Sequence, residues 1–169
     1  VAVEADDGLA TPARMADRDD QVDRVIICTP DKDLGQCVGG KVVQWDRRQD
    51  KWFDADGVRA KFGVGPDSIP DYLALVGDSA DGYPGLPGWG AKSAAAVLAE
   101  YGHLENIPAA SDDWAVTVRG GGALAATLQD RFADALLFRR IATAELDAPV
   151  SESVDELEWT GPTDAFAVI

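Results

Sequence analysis

The chain has 169 residues, 46% of them apolar and 27% charged, with 15 basic and 30 acidic side chains and a net charge of −15. That length suits one domain with a real core, or one domain and part of a second. No apolar run reaches the ~18 residues of a membrane span and no basic-then-apolar leader opens the chain, while Cys28 and Cys37 read as reduced thiols of a cytoplasmic protein, not as a disulfide framework.

In chain order, residues 5–20 have a helix-forming composition, with Thr11-Pro12 expected to break the helix. Residues 22–28 form a short β-branched run ahead of Thr29-Pro30, the pattern of a buried strand in an α/β sheet. Residues 33–38 suit a short helix closed by Gly39-Gly40, and residues 42–45 and 51–53 flank a polar turn as a β-hairpin would. Helices are expected over 56–62 and 68–76. The stretch 77–90 then holds five glycines and two prolines in fourteen residues, and behind it 91–101 is a strong helix ended by Gly102. Residues 123–144 read as one helix or two, with apolar positions at Leu124, Leu128, Phe132, Leu136 and Leu137. From residue 148 the chain is acidic and irregular, a composition typical of disorder.

The acidic excess is uneven. Residues 1–40 carry nine acids and four bases, 41–103 nine and seven, 104–143 five and four, and 144–169 seven acids and no base. A charge of −15 argues against a broad nucleic-acid-binding surface, because phosphate binding rests on Lys and Arg. The nearly balanced middle leaves room for a local contact through backbone N–H groups, a few bases or bound cations.

Three acidic groups stand at structural transitions: Glu4-Ala5-Asp6-Asp7 at a helix start, Asp31-Lys32-Asp33 after the strand, and Asp78-Ser79-Ala80-Asp81 in the glycine-rich loop. Carboxylates behind a parallel strand point into the crevice where open α/β sheets bind ligands. Asp31 and Asp33 in an extended segment would face one side, and Glu4 and Asp7 would share a helix face that Asp6 joins only in an irregular first turn. Hard divalent cations take such oxygen ligands, and two magnesium ions ~4 Å apart serve in-line displacement at phosphorus. The same acids also read as solvated faces or helix N-caps. No EF-hand spacing is present.

The segment from Pro84 to Ser93 joins a glycine turn to a helix start, where Gly88 and Gly90 let the backbone approach a ligand and Lys92 and Ser93 add a cation and a hydroxyl. It fails the P-loop pattern, since Lys92 follows Ala91. It has the form of a helix–hairpin–helix, a sequence-blind grip on a nucleic-acid backbone. Read plainly, it is a capped loop.

Together these features resemble the 5′-nuclease family, which includes the 5′→3′ exonuclease domain of bacterial DNA polymerase I and the flap endonucleases. The resemblance runs through "VEADDGLAT", "TPDKDLGQCV", "FGVGPDSIPDYLALVGDSADGYPGLPGWGAKSAAAVLAEYG" and "ADALLFRRIAT", over roughly residues 3–144. It implies an α/β fold: a partial parallel sheet of a resolvase-like (PIN-like) core over residues 1–55, a helical region with a helix–three-turn–helix over 56–147, and an acidic tail over 148–169. It implies that Glu4, Asp6, Asp7, Asp31, Asp33, Asp78 and Asp81 bind two or more Mg²⁺ or Mn²⁺ ions. Glu4, Asp7, Asp31 and Asp33 are the expected catalytic core, with Asp78 and Asp81 on the second ion or its waters. Gly85, Gly88, Gly90, Lys92 and Ser93 would grip the backbone of duplex DNA with a 5′ flap or 5′ end, with K⁺ held at the hairpin carbonyls. Lys32, Arg139 and Arg140 are further candidate phosphate contacts.

The implied activity is structure-specific 5′→3′ exonuclease or flap endonuclease hydrolysis, by a monomer, in DNA replication and repair. The family's domain begins before its "EADD", with further aspartates and a basic arch, so the chain is expected to be a C-terminal portion. Gly82-Tyr83 and Trp89 are substitutions within the family's motif, and Thr11-Pro12 interrupts a helix the family continues. Two rivals stay open: a duplex-binding module without catalysis, and a haloacid-dehalogenase-type phosphohydrolase suggested by "VGDSAD". The latter lacks its D-x-D-x-T setting, because Leu34-Gly35 follow Asp33.

Overall fold

The computed structural model describes residues 3–151, 153–162 and 166, so residues 152, 163–165 and 167–169 of the expected tail lie outside the described residues. Helix α1 (Ala5–Asp17) runs through Pro12 without a break. Pro12 offers the helix no N–H, but the neighbouring positions are anchored elsewhere. Ala10, Thr11, Ala13 and Ala16 are buried, and the Thr11 hydroxyl donates to the Glu145 carbonyl and accepts from the Ala148 N–H, each at 3.0 Å. Tertiary packing thus outweighs the local preference.

Strands β1 (Val25–Ile27), β2 (Val42–Asp46) and β3 (Lys51–Phe53) form one sheet in that order. β1 pairs parallel to β2, with Val25 opposite Val42, and β3 returns antiparallel, with Trp52 opposite Trp45. The α/β sheet is therefore small and mixed, a parallel pair extended by a hairpin. β1 is shorter than the run 22–28 and less buried than expected: Ile27 is 4% exposed, Ile26 is 44% exposed, and the Cys28 thiol is free and exposed. Among the described residues β1 has a partner on one side only, and the pleat turns alternate side chains outward. The hairpin is stiffened by Trp45 and Trp52, stacked with centroids 4.9 Å apart, with Arg47 and Arg24 over their rings.

A 3-10 turn (Asp33–Cys37) links β1 to β2. α2 (Ala55–Phe62) starts where the Asp54 carboxylate accepts from the Gly57 N–H at 2.8 Å and stops at left-handed Gly63. After a 3-10 turn at Pro66–Ser68 comes α3 (Ile69–Val76), buried from Ile69 to Leu75 and so the central helix. α4 (Ala91–Tyr101), α5 (Gly121–Asp130) and α6 (Phe132–Ala142) complete the helical part, with 123–144 resolved into two helices that break at Arg131. Leu73, Leu75, Val97, Leu98, Leu124 and Leu128 build the larger core, while Ala10, Ala13, Ile27, Leu34 and Val42 form a smaller one under α1 and the sheet.

α6 lies on α3, locked by charge. Buried Asp71 accepts from Arg139 at 3.0 Å and pairs with His103 Nδ1 at 2.8 Å, and Arg139 also holds Glu105 at 2.7 Å. Arg139, a candidate phosphate contact, is instead committed inside the protein; Arg140 is exposed. Beyond α6, residues 143–148 fold back over α1 as a strap, with the Glu145 N–H on Asp7 Oδ1 at 2.7 Å and Arg14 on Asp147 at 3.1 Å. No helix among the described residues is long and apolar enough to cross a membrane.

Candidate functional site

The turn after β1 is built from its own side chains. The Asp31 N–H donates to Thr29 Oγ1 at 3.1 Å, and the Asp33 N–H donates to Asp31 Oδ1 at 3.2 Å. This Asx-type turn replaces the extended segment expected for Asp31 and Asp33; Asp33 is buried and Asp31 exposed. Two glutamines fix the turn from outside. Gln44 on β2, 1% exposed, donates to the Thr29 carbonyl at 3.1 Å and also to the Asp31 carbonyl. Gln36 donates to the Asp33 carbonyl at 2.7 Å and the Ala142 carbonyl at 2.9 Å, while its Oε1 accepts from the Ala144 N–H at 3.0 Å. Neither glutamine carried a sequence signal, because their partners come from distant segments.

The third acidic group sits in the loop between α3 and α4. Gly77 and Gly85 make it possible: at φ of +82° and +69° they pack backbone on backbone, and a Cβ on either would come within 2.6 Å of the opposite strand of the loop. Asp78 and Tyr83 then exchange backbone hydrogen bonds of 2.9 and 3.0 Å. The buried Asp78 carboxylate accepts from the Ala80 N–H at 2.8 Å and forms an ion pair with Lys32, so this candidate phosphate contact is engaged by a carboxylate of the site.

The fold brings the acids into two groups that share one member. Asp6, Asp31 and Asp33 each offer a carboxylate oxygen within 4.8 Å of the others, and so do Asp33, Asp78 and Asp81. The strain of this crowding shows in protonation. Asp33 is pushed up to about 8, by burial first and then by the carboxylates of Asp81, Asp31 and Asp78. Burial, then Asp31 and Asp81, raises Asp6. Burial would raise Asp78 too, but the Lys32 ammonium and the loop N–H groups outweigh it and leave the carboxyl below its ordinary range.

Asp33 Oδ1 is buried with no hydrogen-bond partner within the protein. An all-carboxylate donor set around such an oxygen fits a hard divalent cation. Glu4 and Asp7 line the same cleft of about 320 Å³ as Asp6, Asp33 and Asp81, but belong to neither group. Glu4 is the extended N-cap of α1, with its N–H on Asp7 Oδ2 at 3.0 Å. Asp7 Oδ1 is taken by the strap, so both Asp7 oxygens already accept from backbone N–H groups. Asp6, doubtful from helix geometry, points into the site because it lies in the first turn.

A second cleft, of about 600 Å³, is lined by Gly88, Gly90, Lys92, Ser93, Thr117 and Arg119. Gly88 and Lys92 are exposed there, whereas Gly85 is buried in the loop and Ser93 caps α4, its hydroxyl bonded to the N–H and carbonyl of Gly90 at 3.1 and 3.0 Å. Trp89 is 7% exposed and donates to the Leu124 carbonyl at 3.2 Å, tying the hairpin to α5. Arg119 reaches this cleft from the loop before α5, a placement that no local motif signals.

A family model described as 5′-3′ exonuclease, N-terminal resolvase-like domain, matches residues 1–63, and one described as 5′-3′ exonuclease, C-terminal SAM fold, matches residues 64–165. The chain is 39% identical over 157 residues to DNA polymerase I of Pseudomonas aeruginosa, covering 92% of this chain and 17% of that protein. It is 49% identical over 84 residues to a 5′-3′ exonuclease of Aquifex aeolicus, covering 50% of this chain and 29% of that one. The chain thus spans less than a third of the length of these relatives. Among solved structures, the bacteriophage T5 flap endonuclease with DNA and metal ions aligns with a TM-score of 0.66 at 21% identity, over 85% of this chain and 50% of that one. The T5 5′-exonuclease with zinc bound aligns at 0.65 and 19% identity, over 83% and 51%. At such identities the likeness is one of fold.

Proposed function

Because the chain belongs to the 5′-3′ exonuclease family, we propose that it hydrolyses DNA phosphodiester bonds at 5′ ends or 5′ flaps, with two divalent ions held by carboxylates. The observation that carries this reading is the pair of carboxylate groups meeting at buried Asp33, whose Oδ1 has no partner within the protein. Asp6, Asp31 and Asp33 would hold one ion and Asp33, Asp78 and Asp81 the other, with Glu4 and Asp7 in the same cleft. Mg²⁺ or Mn²⁺ in such a pair lowers the pKa of water and offsets charge on the leaving oxygen.

The chain's own residues set the stage. Gln36 and Gln44 fix the Asp31–Asp33 turn, and Lys32 keeps Asp78 ionised for an incoming cation. Residues 1–55 form the catalytic part, to which the DNA-gripping part, 56–147, contributes Asp78 and Asp81. The cleft around Gly88, Gly90 and Lys92, with Arg119, would take the duplex backbone without reading sequence. K⁺ at the carbonyls near Gly88 belongs to the same reading, as does work by a monomer in the cytoplasm, where bacterial DNA lies.

The test is cleavage of a 5′-flap duplex by the purified chain in Mn²⁺ or Mg²⁺. The expected result is metal-dependent cleavage that Asp33→Asn lowers by roughly 10²–10³-fold, in line with loss of one electrostatic stabiliser. Duplex binding without cleavage would overturn it in favour of a binding module.

A further inference from the structure

Acids outnumber bases by 30 to 15 in this chain, so a cation that leaves every carboxylate alone is informative. Lys61, in the last turn of α2, is exposed and makes neither an ion pair nor a hydrogen bond among the described residues. Its ammonium lies instead over two rings, 4.5 Å from the centroid of Phe53 and 4.8 Å from that of Phe62. This seat is joined to both parts of the proposed machinery. Phe53 stands opposite Gln44 in the sheet, the glutamine that holds the Thr29 and Asp31 carbonyls. The Phe62 ring lies 3.8 Å from where a Cβ on Gly35 would be, two residues behind Asp33. Gly63 follows, and a Cβ there would come within 2.7 Å of the Ala95 Cβ on α4. Ala95 sits between Lys92 and Ala96, which both line the cleft at Gly88. Lys61 is thus placed between the carboxylate groups and the hairpin cleft. Lys51, two residues before Phe53 and so on the same face of β3, is exposed, and its ammonium is bonded to the neutral amide of Gln49 at 2.8 Å. Burial lowers the pKa of the Lys61 ammonium, and Asp46 and Asp31 do not outweigh it because Lys51 and Lys32 oppose them. An incoming anion would supply the counter-charge that is lacking.

We propose that Lys61 is a DNA phosphate contact, holding the backbone between the phosphate at the carboxylate groups and those in the cleft of Gly88, Lys92 and Arg119. A duplex arm seated in that cleft and reaching the carboxylates with one phosphate runs its backbone past the end of α2. The two rings hold the lysine stem, so less side-chain freedom is lost on binding, and the three N–H donors of the ammonium stay open to phosphate oxygens. A point charge of this kind positions the backbone and reads no base. The contact rests on the DNA-binding part of the reading above, and it adds a cation that lies outside the glycine-rich motif.

The test compares the full 169-residue chain with Lys61→Met, which keeps an unbranched stem on the two rings, and with Lys61→Arg, which keeps the charge. Binding of a 5′-flap duplex is measured by fluorescence anisotropy in EDTA over a salt series, and Mn²⁺ affinity by titration calorimetry. The expected result is that Lys61→Met lowers the salt slope by about 1 and weakens binding roughly tenfold at about 0.1 M salt. Lys61→Arg should restore both, and neither variant should bind Mn²⁺ more weakly than the parent. An unchanged slope in Lys61→Met, with or without weaker binding, would overturn the contact, because lost packing alone releases no counterion. Weaker Mn²⁺ binding would also overturn it, by making the role of Lys61 one of structure. A parent that binds the duplex but never cleaves it in Mn²⁺ would overturn the nuclease reading while the slope still decides Lys61. A parent that binds no duplex would overturn the DNA reading, and this contact with it.

Discussion

Asp33 holds its proton far more tightly than an isolated aspartic acid, about 8 against 3.8, and this has a definite sign in stability. A carboxyl raised in the folded state binds more protons there than in the unfolded chain. Stability of the metal-free protein therefore falls as pH rises from the unfolded value to the folded one, over about pH 4 to 8. Asp78 acts oppositely, contributing stability that is lost only in acid as pH falls through its lowered pKa. Melts in EDTA should thus show a declining melting temperature across that interval. Added Mn²⁺ should restore most at the alkaline end, and below it uptake should release about one proton, read by calorimetry in buffers of different ionisation enthalpy. A flat EDTA profile would remove the buried shared carboxylate. The acids themselves are legible in the sequence as residue types at strand and helix ends. Their division is not: Asp7 gives an oxygen to Glu145, 138 residues away, and no local pattern announces that.

At the level of elements, the loop between α3 and α4 depends on backbone contact at Gly77 and Gly85. Gly77→Ala would put a methyl 2.5 Å from the Pro84 carbonyl carbon at positive φ. A loss of roughly 2–4 kcal/mol is expected from strain and overpacking, with Mn²⁺ affinity reduced because Asp78 and Asp81 ride on this loop; denaturant unfolding checks the first and calorimetry the second. In the cleft at the start of α4, Lys92→Ala and Arg119→Ala should each weaken duplex binding and lower the salt slope by about 1, equally for unrelated sequences. A slope unchanged by both would place the duplex elsewhere. Helix and hairpin positions were largely readable, since apolar periodicity and the glycines at 39–40 and 102 are local signals. Pro12 misled because the force that keeps α1 whole comes from residues 145 and 148, and β1 misled because its apolar composition says nothing about how many neighbours it has.

For the whole molecule, the strap joins the last helix to the first. Thr11 is its knot, one hydroxyl serving both the Glu145 carbonyl and the Ala148 N–H. Thr11→Val keeps the shape and removes both bonds, leaving a buried N–H without a partner. A cost of about 1–3 kcal/mol is expected, together with weaker Mn²⁺ binding as α1 loosens; if stability falls and Mn²⁺ binding does not, the strap serves folding alone. The two family models meet at residues 63 and 64, yet the strap crosses that seam in space. A truncation just behind α6 would delete none of the five aspartates that converge in the two carboxylate groups. It would nonetheless unfasten the helix that carries Asp6, so on the two-ion reading a deletion that spares every proposed ligand should still cost the protein its metal.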